Sequence, residues 1–285
     1  MPARSSSNAT TRVRLVFDID EGPKVKVGDI EFMGNTVFSR RRIIRSMRMS
    51  RPYSVPMWLF DLPVMSKTYD RSKLDQDLEI GIRGLYQNTG YFRADVKDPI
   101  LTPVQIDRAG IPIPFPFIGR QRGRATNITI PIDEGQQYRM GRLVVRSVDP
   151  EKGLSVQRGY LESIFPLKKG DIFDVSKIRT SIESYTKLYG TQGFIDFTAT
   201  PTTEIHDDTH TVDLTFDFDE QKQFFVRRIE FSGNLTTRDR VIRRELLVGE
   251  GDIFNNRAWE VSLLRLNQLD YFENVKPTNA ELKRN

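Results

Sequence analysis

The chain has 285 residues, no cysteine and a formal net charge of +5, and 38% of its residues are apolar, including 18 Phe and 9 Tyr. This apolar content suffices for packed cores and excludes a chain that is disordered throughout. The lack of cysteine excludes disulfide scaffolds, cysteine zinc sites and thiol catalysis, and the small positive surplus permits an anionic partner without requiring nucleic acid.

The predicted elements begin with a strand over "VKVGDIEF" and a short helix over "SRRRIIRSM", in which Ile43, Ile44 and Met47 form the buried side. A second helix is predicted over "SKLDQDLEIGIRGLYQ", with a capping-box spacing at Ser72–Asp75. An extended segment, "YFRADV", and an alternating strand, "NITIPIDEG", complete the set. Pro131 lies in that last strand, where its missing N–H predicts a local bulge.

The same order of elements returns twice. Alternating strands with acidic ends close at Glu21, Glu134 and Glu220. The phrase "GDIF" precedes the second helix of the two later copies. Each second helix is followed by a residue suited to a left-handed ending, namely Gly90, Gly193 and Asp270.

These repeats predict units of strand, helix, helix, strand, strand. One unit spans residues 24–135 with insertions at about 50–70 and 103–124, the next spans 136–221, and the last spans 222–285 and stops before its final strand. Residues 1–23 are predicted to be a tail and the last strand of a preceding unit. We therefore expect the chain to be a piece of a longer protein.

The repeated unit resembles the polypeptide-transport-associated (POTRA) domain, a βααββ module found in tandem in the periplasmic part of outer-membrane protein assembly factors of the BamA type. The third copy is the most similar, over "FFVRRIEFSGNLTTRDRVIRRELLVGEGDIFNNRAWEVSLLRLNQLDYFENV". The first copy departs from the pattern because it lacks "GDIF" and carries both insertions. Its position in the family's array is left open.

The resemblance implies an α+β fold of tandem POTRA-like units, each a small mixed three-stranded sheet with two helices on one face. It implies a periplasmic arm, without catalytic activity or cofactor, on the outer membrane of a Gram-negative-type bacterium, carried by a C-terminal barrel outside this chain. The implied partners are unfolded outer-membrane protein precursors and accessory lipoproteins, and no nucleic acid.

An edge strand carries unpaired N–H and C=O groups, so an unfolded barrel precursor can add to it as a further strand, by β-augmentation. In the family, the first strand of the terminal hairpin is such an edge. Carried over to this chain, the resemblance predicts binding at Phe92, Arg93, Ala94, Asp95, Val96, Phe194, Ile195, Asp196, Phe197, Phe272, Glu273, Asn274 and Val275.

A second candidate surface lies around the first helix, where six arginines occur without an acidic residue between Thr36 and Phe60. One interpretation is a solvated helix face, and the other is a patch that docks to lipid phosphates or an acidic partner. The patch consists of Trp58, Phe60, Arg41, Arg45 and Arg48.

Other motifs favour structural roles. His206 and His210 lie in "HDDTH" between alternating segments, which predicts a hairpin tip rather than a metal site. The "DE" phrases are interpreted as tight turns between units. No nucleophile or phosphate loop is visible, so no enzyme is predicted. The alternatives are a structural spacer or docking arm without client contact, and a related two-partner secretion or translocation transporter.

Overall fold

The computed structural model describes residues 25–272, apart from 52, 55–62, 66, 109–120 and 235. The first unit contains β1 (Lys26–Met33), α1 (Arg40–Ser46), β2 (Tyr53–Ser54), β3 (Pro63–Met65), α2 (Arg71–Gln76), a π-helical turn (Asp77–Arg83), α3 (Gly84–Gln87), β4 (Asp95–Val96), β5 (Ile100–Arg108) and β6 (Gln121–Asp133). The second contains β7 (Arg139–Ser147), α4 (Arg158–Ile164), α5 (Val175–Thr191), β8 (Thr198–His206) and β9 (Thr211–Asp219). The third contains α6 (Asp239–Arg243) and α7 (Asn256–Gln268).

Each of the first two units has a mixed sheet whose central strand is its last strand. β6 pairs in parallel with β1 and antiparallel with both β4 and β5, which together form one interrupted edge strand. β9 likewise lies between parallel β7 and antiparallel β8. The predicted α+β fold is therefore confirmed, with the first hairpin strand at an edge of the sheet.

The alternation of side chains along each strand determines which residues are buried. The even-numbered residues of β9, from Val212 to Phe218, are fully buried, whereas their odd-numbered neighbours are partly exposed. In the first unit Ile128, Ile130 and Ile132 take the same role and pack against helical residues such as Leu74 and Tyr86. In these two units the helices therefore cover one face of each sheet.

Two insertions turn out to be partly regular. The segment predicted as an insertion over 103–124 instead lengthens the hairpin, because β5 continues to Arg108 and β6 begins at Gln121. The other insertion contains the small antiparallel pair β2–β3. The predicted bulge at Pro131 is confirmed on the opposite strand: Val96 pairs with Ile132 and Ile100 pairs with Thr129, so three edge residues face two central ones.

The second helices share one type of N-cap. Asp70 accepts hydrogen bonds from the N–H groups of Ser72 and Lys73, at 3.1 and 3.4 Å, and Asp174 and Asn255 cap α5 and α7 in the same manner. The predicted capping box over Ser72 is wrong, because Asp70 already serves the free N–H groups. The hydrogen bond from Ser72, with others from Lys73, lowers the pKa of Asp70 to about 2.

Within the part of the chain that the structure describes, no helix combines the length and the apolar character needed to cross a membrane.

Candidate functional site: the open sheet edges

The start of the outer edge of each first strand is covered by its own unit. In the second unit, Met140 exchanges two backbone hydrogen bonds of 2.7 Å with the segment that precedes α5, through the carbonyl of Asp171 and the N–H of Gly170. In the first unit, the N–H of Val27 donates to Lys67 in the equivalent segment. The first helix of each unit also contacts this strand. The start of each of these edges is therefore unavailable to a further strand.

The other edge of the second sheet is open, and the ladder shows which of its groups face outward. The carbonyl of Phe218 accepts a hydrogen bond from Val148 on the β7 side, so the buried, even-numbered residues of β9 direct their backbone groups towards β7. The odd-numbered residues of β9 therefore face β8, where Asp213 pairs with Glu204. It follows that the odd-numbered residues of β8 direct their N–H and C=O groups away from the sheet. These residues are Ala199, Pro201, Thr203 and Ile205.

The same reasoning applies to the first sheet. The carbonyl of Ile132 points to the β1 side, next to Gly34, while the carbonyl of Pro131 accepts a 3.0 Å hydrogen bond from Lys97 on the edge strand. Since Thr129 pairs with Ile100, the outward groups of β5 belong to its odd-numbered residues, Leu101, Pro103, Gln105 and Asp107. Within the described residues, no backbone hydrogen bond joins the outward groups of β5 or β8 to another segment.

A buried glutamate holds the loop before the first helix in place. Glu134, 8% exposed, accepts hydrogen bonds from the backbone N–H groups of Thr36 and Val37 and from the hydroxyl of Tyr86 at 2.7 Å. In the second unit Glu220 binds the N–H and hydroxyl of Ser155. The "DE" phrases, interpreted from sequence as turns, thus supply a clamp that ties the end of the central strand to this loop.

Protonation of the clamp is set by its surroundings. Burial alone raises the pKa of Glu134, but hydrogen bonds from Thr36, Tyr86 and the backbone outweigh burial and leave the pKa below its ordinary value. Burial raises the pKa of Tyr86, and its hydrogen bond to Glu134 raises it further. The clamp therefore consists of a carboxylate and a neutral phenol at neutral pH.

Successive units join through the same set of contacts. The N–H of Tyr138 donates to the carbonyl of Gly90 at 2.8 Å, and the N–H of Phe224 donates to Gly193 at 2.9 Å. A glutamine side chain supports each bond, since Gln137 donates to Thr89 and Gln223 donates to Gln192. These hydrogen bonds are equivalent in the two junctions, so both linkers dock in one manner.

Comparison with known proteins identifies this repeated architecture. The family model for POTRA, described as "Surface antigen variable number repeat", matches residues 25–135, 144–221 and 224–285. The chain belongs to the POTRA family.

Several curated POTRA relatives are assembly factors. The chain is 28% identical over 272 residues to the outer membrane protein assembly factor BamA of Neisseria meningitidis serogroup B, covering 94% of this chain and 30% of the relative. BamA of Buchnera aphidicola is 25% identical over 272 residues, covering 95% of this chain and 39% of the relative. The chain thus spans less than half the length of these two proteins.

A solved structure supports the fold. The crystal structure of Haemophilus influenzae BamA POTRA3-5 matches with a TM-score of 0.57 at 21% identity and covers 89% of each chain. At this identity the match bears on architecture alone.

In the first POTRA unit, the predicted binding positions divide between the edge strand and the turn before it. Asp95 and Val96 form β4. Asp95 pairs with Asp133, whose backbone groups point towards β4, so the backbone groups of Asp95 point inward. Only Val96 therefore directs its N–H outward. Phe92, Arg93 and Ala94 lie in the preceding turn. Phe92 contacts the ring of Phe173 in the next unit at 5.7 Å, and Ala94 is buried.

In the second POTRA unit, the strand predicted to begin at Phe194 begins at Thr198 instead. Phe194, Ile195, Asp196 and Phe197 form a turn after Gly193, so this part of the prediction is wrong. The reason is packing: Phe194 and Phe197 are both buried, and Phe197 stacks on Tyr189 at 4.1 Å. Both rings belong to the core, and the open edge starts beyond them.

The remaining predicted positions are described only in part. Phe272 lies in a bend and is half-buried, whereas Glu273, Asn274 and Val275 lie outside the described residues, as do Trp58 and Phe60. Arg41, Arg45 and Arg48 are exposed on and just after α1. The structure therefore describes only the three arginines of the predicted patch.

The "HDDTH" phrase forms the hairpin tip, as predicted, and it also takes part in the first POTRA junction. Asp207 accepts a 2.7 Å hydrogen bond from the hydroxyl of Tyr138 and forms a 2.8 Å ion pair with Arg93 of the preceding unit. No group of three or more metal-ligating side chains occurs among the described residues. Sequence reasoning missed this contact because nothing local relates residue 93 to residue 207.

Proposed function

We propose that this chain is the periplasmic POTRA arm of an outer-membrane protein assembly factor, and that unfolded barrel precursors bind it as added strands at the open edges of β5 and β8. The observation that carries this proposal is the asymmetry of the sheets. In both, the chain itself hydrogen-bonds to the start of the edge at the first strand and leaves the hairpin edge open. BamA proteins similar to nearly the whole chain support the assembly role.

The chemistry of an edge suits this class of client. Backbone hydrogen bonds do not depend on side-chain identity, so one edge can accept many sequences. Barrel strands are segments of about 10 residues that alternate apolar and polar side chains, and before insertion they lack partners. The proposed site contains only backbone groups and needs no cofactor.

The proposal extends to organisation and partners. We propose three POTRA units over 24–135, 136–221 and 222–285, preceded by residues 1–23, on the periplasmic side of the outer membrane. Accessory lipoproteins are the second proposed class of partner, and exposed Arg41, Arg45 and Arg48 with Trp58 and Phe60 are a proposed surface for them or for lipid phosphates. The same residues are also compatible with a solvated helix face.

Binding of a synthetic ten-residue barrel-strand peptide tests the central proposal. Thr203→Pro removes one outward N–H from β8 but no bond to β9, so the unit should fold while its affinity for the peptide falls about tenfold. Titration followed by backbone amide NMR should move the signals of Thr203 and Ile205 in the unsubstituted chain. Thr202→Val is the matched control, because the N–H of Thr202 faces β9.

The spacer hypothesis predicts a different result. If the peptide moves only helix signals, or binds the Thr203→Pro variant as tightly as the unsubstituted chain, strand addition at β8 is refuted. The circular dichroism spectrum of each variant verifies that the sheet is intact.

A further inference from the structure

Both open edges contain a proline at an outward-facing position. Pro103 is the second outward residue of β5, after Leu101, and Pro201 is the second outward residue of β8, after Ala199. Neither proline removes a hydrogen bond from its own sheet. The backbone hydrogen bonds that join β5 to β6 and β8 to β9 are made by the even-numbered residues of β5 and β8. Each therefore leaves the fold intact and changes only what the edge offers to another chain.

The ring at Pro201 interrupts the row of outward donors. Residues Ala199, Thr203 and Ile205 present both an N–H and a C=O, whereas Pro201 presents a C=O alone. A strand laid along the full edge would place one of its carbonyls against the proline ring, where no donor exists. Proline at such a position is a known means of discouraging edge-to-edge pairing.

The first sheet is interrupted more severely. The bulge opposite Pro131 separates the outward groups of Val96 from those of Leu101, and Pro103 then separates Leu101 from Gln105. Among these edges, an uninterrupted outward run is therefore no longer than two residues: Thr203 and Ile205 in β8, and Gln105 and Asp107 in β5.

Building on the proposed function, we propose that Pro103 and Pro201 limit strand addition to short segments. An unfolded barrel precursor would pair with Thr203 and Ile205 in the second unit and stop at Pro201. In the first unit it would pair with Gln105 and Asp107 and stop at Pro103. Pairing over so few residues favours rapid release, which suits an arm that passes its client onward. The two prolines thus set the length of the bound segment and the lifetime of the complex.

Replacement of Pro201 tests this inference. Pro201→Ala restores the missing donor and should bind the ten-residue barrel-strand peptide about tenfold more tightly, with a correspondingly slower dissociation rate. The amide signal of residue 201 should shift on binding, and the shift at Ala199 should increase. Pro201→Thr serves as a second variant whose β-branched side chain matches the neighbouring strand residues. Pro166→Ala is the control, since Pro166 is exposed in a bend outside both edges.

The outcomes separate this inference from the function on which it rests. If Thr203→Pro loses peptide binding but both Pro201 variants bind and release the peptide as the unsubstituted chain does, the limiting role of proline is refuted and strand addition stands. If no variant alters binding, or no peptide binds at all, strand addition itself fails and this inference fails with it. Tighter binding by both Pro201 variants, with Pro166→Ala unchanged, supports the proposal.

Discussion

At the scale of single residues, the buried glutamate of each clamp accepts the hydrogen bonds that the N–H groups of the loop before the first helix would otherwise donate to water. Glu134 accepts its hydrogen bonds while nearly fully buried, and Tyr86 reaches it from the second helix. One carboxylate therefore connects the central strand, the first-helix loop and the second helix. Removing its charge should affect all three elements together.

We predict that Glu134→Gln destabilises the first unit by about 1–3 kcal/mol, because the amide group cannot accept from all the donors that the carboxylate serves. Urea unfolding, monitored by the amide exchange of first-unit residues, measures this loss of unfolding free energy. Glu31→Gln is the control, since Glu31 is exposed in the same unit. Equal stability of the two variants would contradict the clamp.

The clamp also predicts the direction of a pH effect. The pKa of Glu134 is lower in the folded chain than its ordinary value of 4.5, so ionised Glu134 contributes stability that is present above pH 4.5 and is lost as the pH falls through the folded-state pKa. Unfolding midpoints measured between pH 7 and pH 3 should decline less steeply for Glu134→Gln than for the unsubstituted chain. Parallel curves would show that other carboxylates dominate acid unfolding.

At the scale of elements, α7 offers two adjacent leucines in opposite environments. Leu263 is 5% exposed and Leu264 is 61% exposed. Leu263→Ala should cost about 2–5 kcal/mol of unfolding free energy in the third unit, since a cavity replaces the side chain, whereas Leu264→Ala should change little. Thermal unfolding of the two variants provides the comparison. Similar midpoints would mean that α7 does not pack as described.

Elements with a clear hydrophobic period could be predicted from the sequence. The alternation of Val212 to Phe218 specifies both the strand and its buried face, and Gly90 and Gly193 specify the left-handed helix endings that the structure shows, with φ of 91° and 87°. Asp270 adopts the same left-handed region with φ of 52°. These features depend on neighbouring residues alone, so a local pattern suffices.

The start of the open edge could not be predicted in the same way. Phe194 and Phe197 have strand-forming side chains, but a core position beside Tyr189 keeps them in a turn. The outward direction of Thr203 depends on its register with β9, and the backbone N–H groups that bind Glu134 lie almost 100 residues away. Such properties arise from tertiary pairing, which no local pattern contains.

At the scale of the whole molecule, the repeated junction fixes how one unit follows another. Gly90 has a φ of 91°, and an added Cβ would lie 2.8–3.0 Å from Ile172, Gln137 and Tyr138 of the next unit. Glycine is therefore required here for two reasons: the left-handed backbone conformation and the close approach of the second unit. Tight packing of this kind favours a defined angle between the units.

We predict that Gly90→Ala changes the distance between the first two units, whereas Gly170→Ala does not. Gly170 has nearly the same φ, 92°, but no atom lies within 4 Å of its added Cβ, so it carries the backbone strain without the clash. Because the chain lacks cysteine, spin labels can be placed at Ile80→Cys and Tyr160→Cys, both exposed. Pulsed electron resonance distances that shift equally in both variants would contradict a junction held by close packing.

Under the proposed function, the open edges of β5 and β8 also make the chain bivalent towards a long client. Since the junction holds the two sheets together, a segment paired at one edge presents the rest of its length to the other at a high effective concentration. Such linkage raises the overall affinity by roughly 10²–10⁴ when the connecting segment spans the gap, and it gives no advantage when the segment is too short. Individually weak edges would therefore retain a long unfolded chain while either contact alone still exchanges freely.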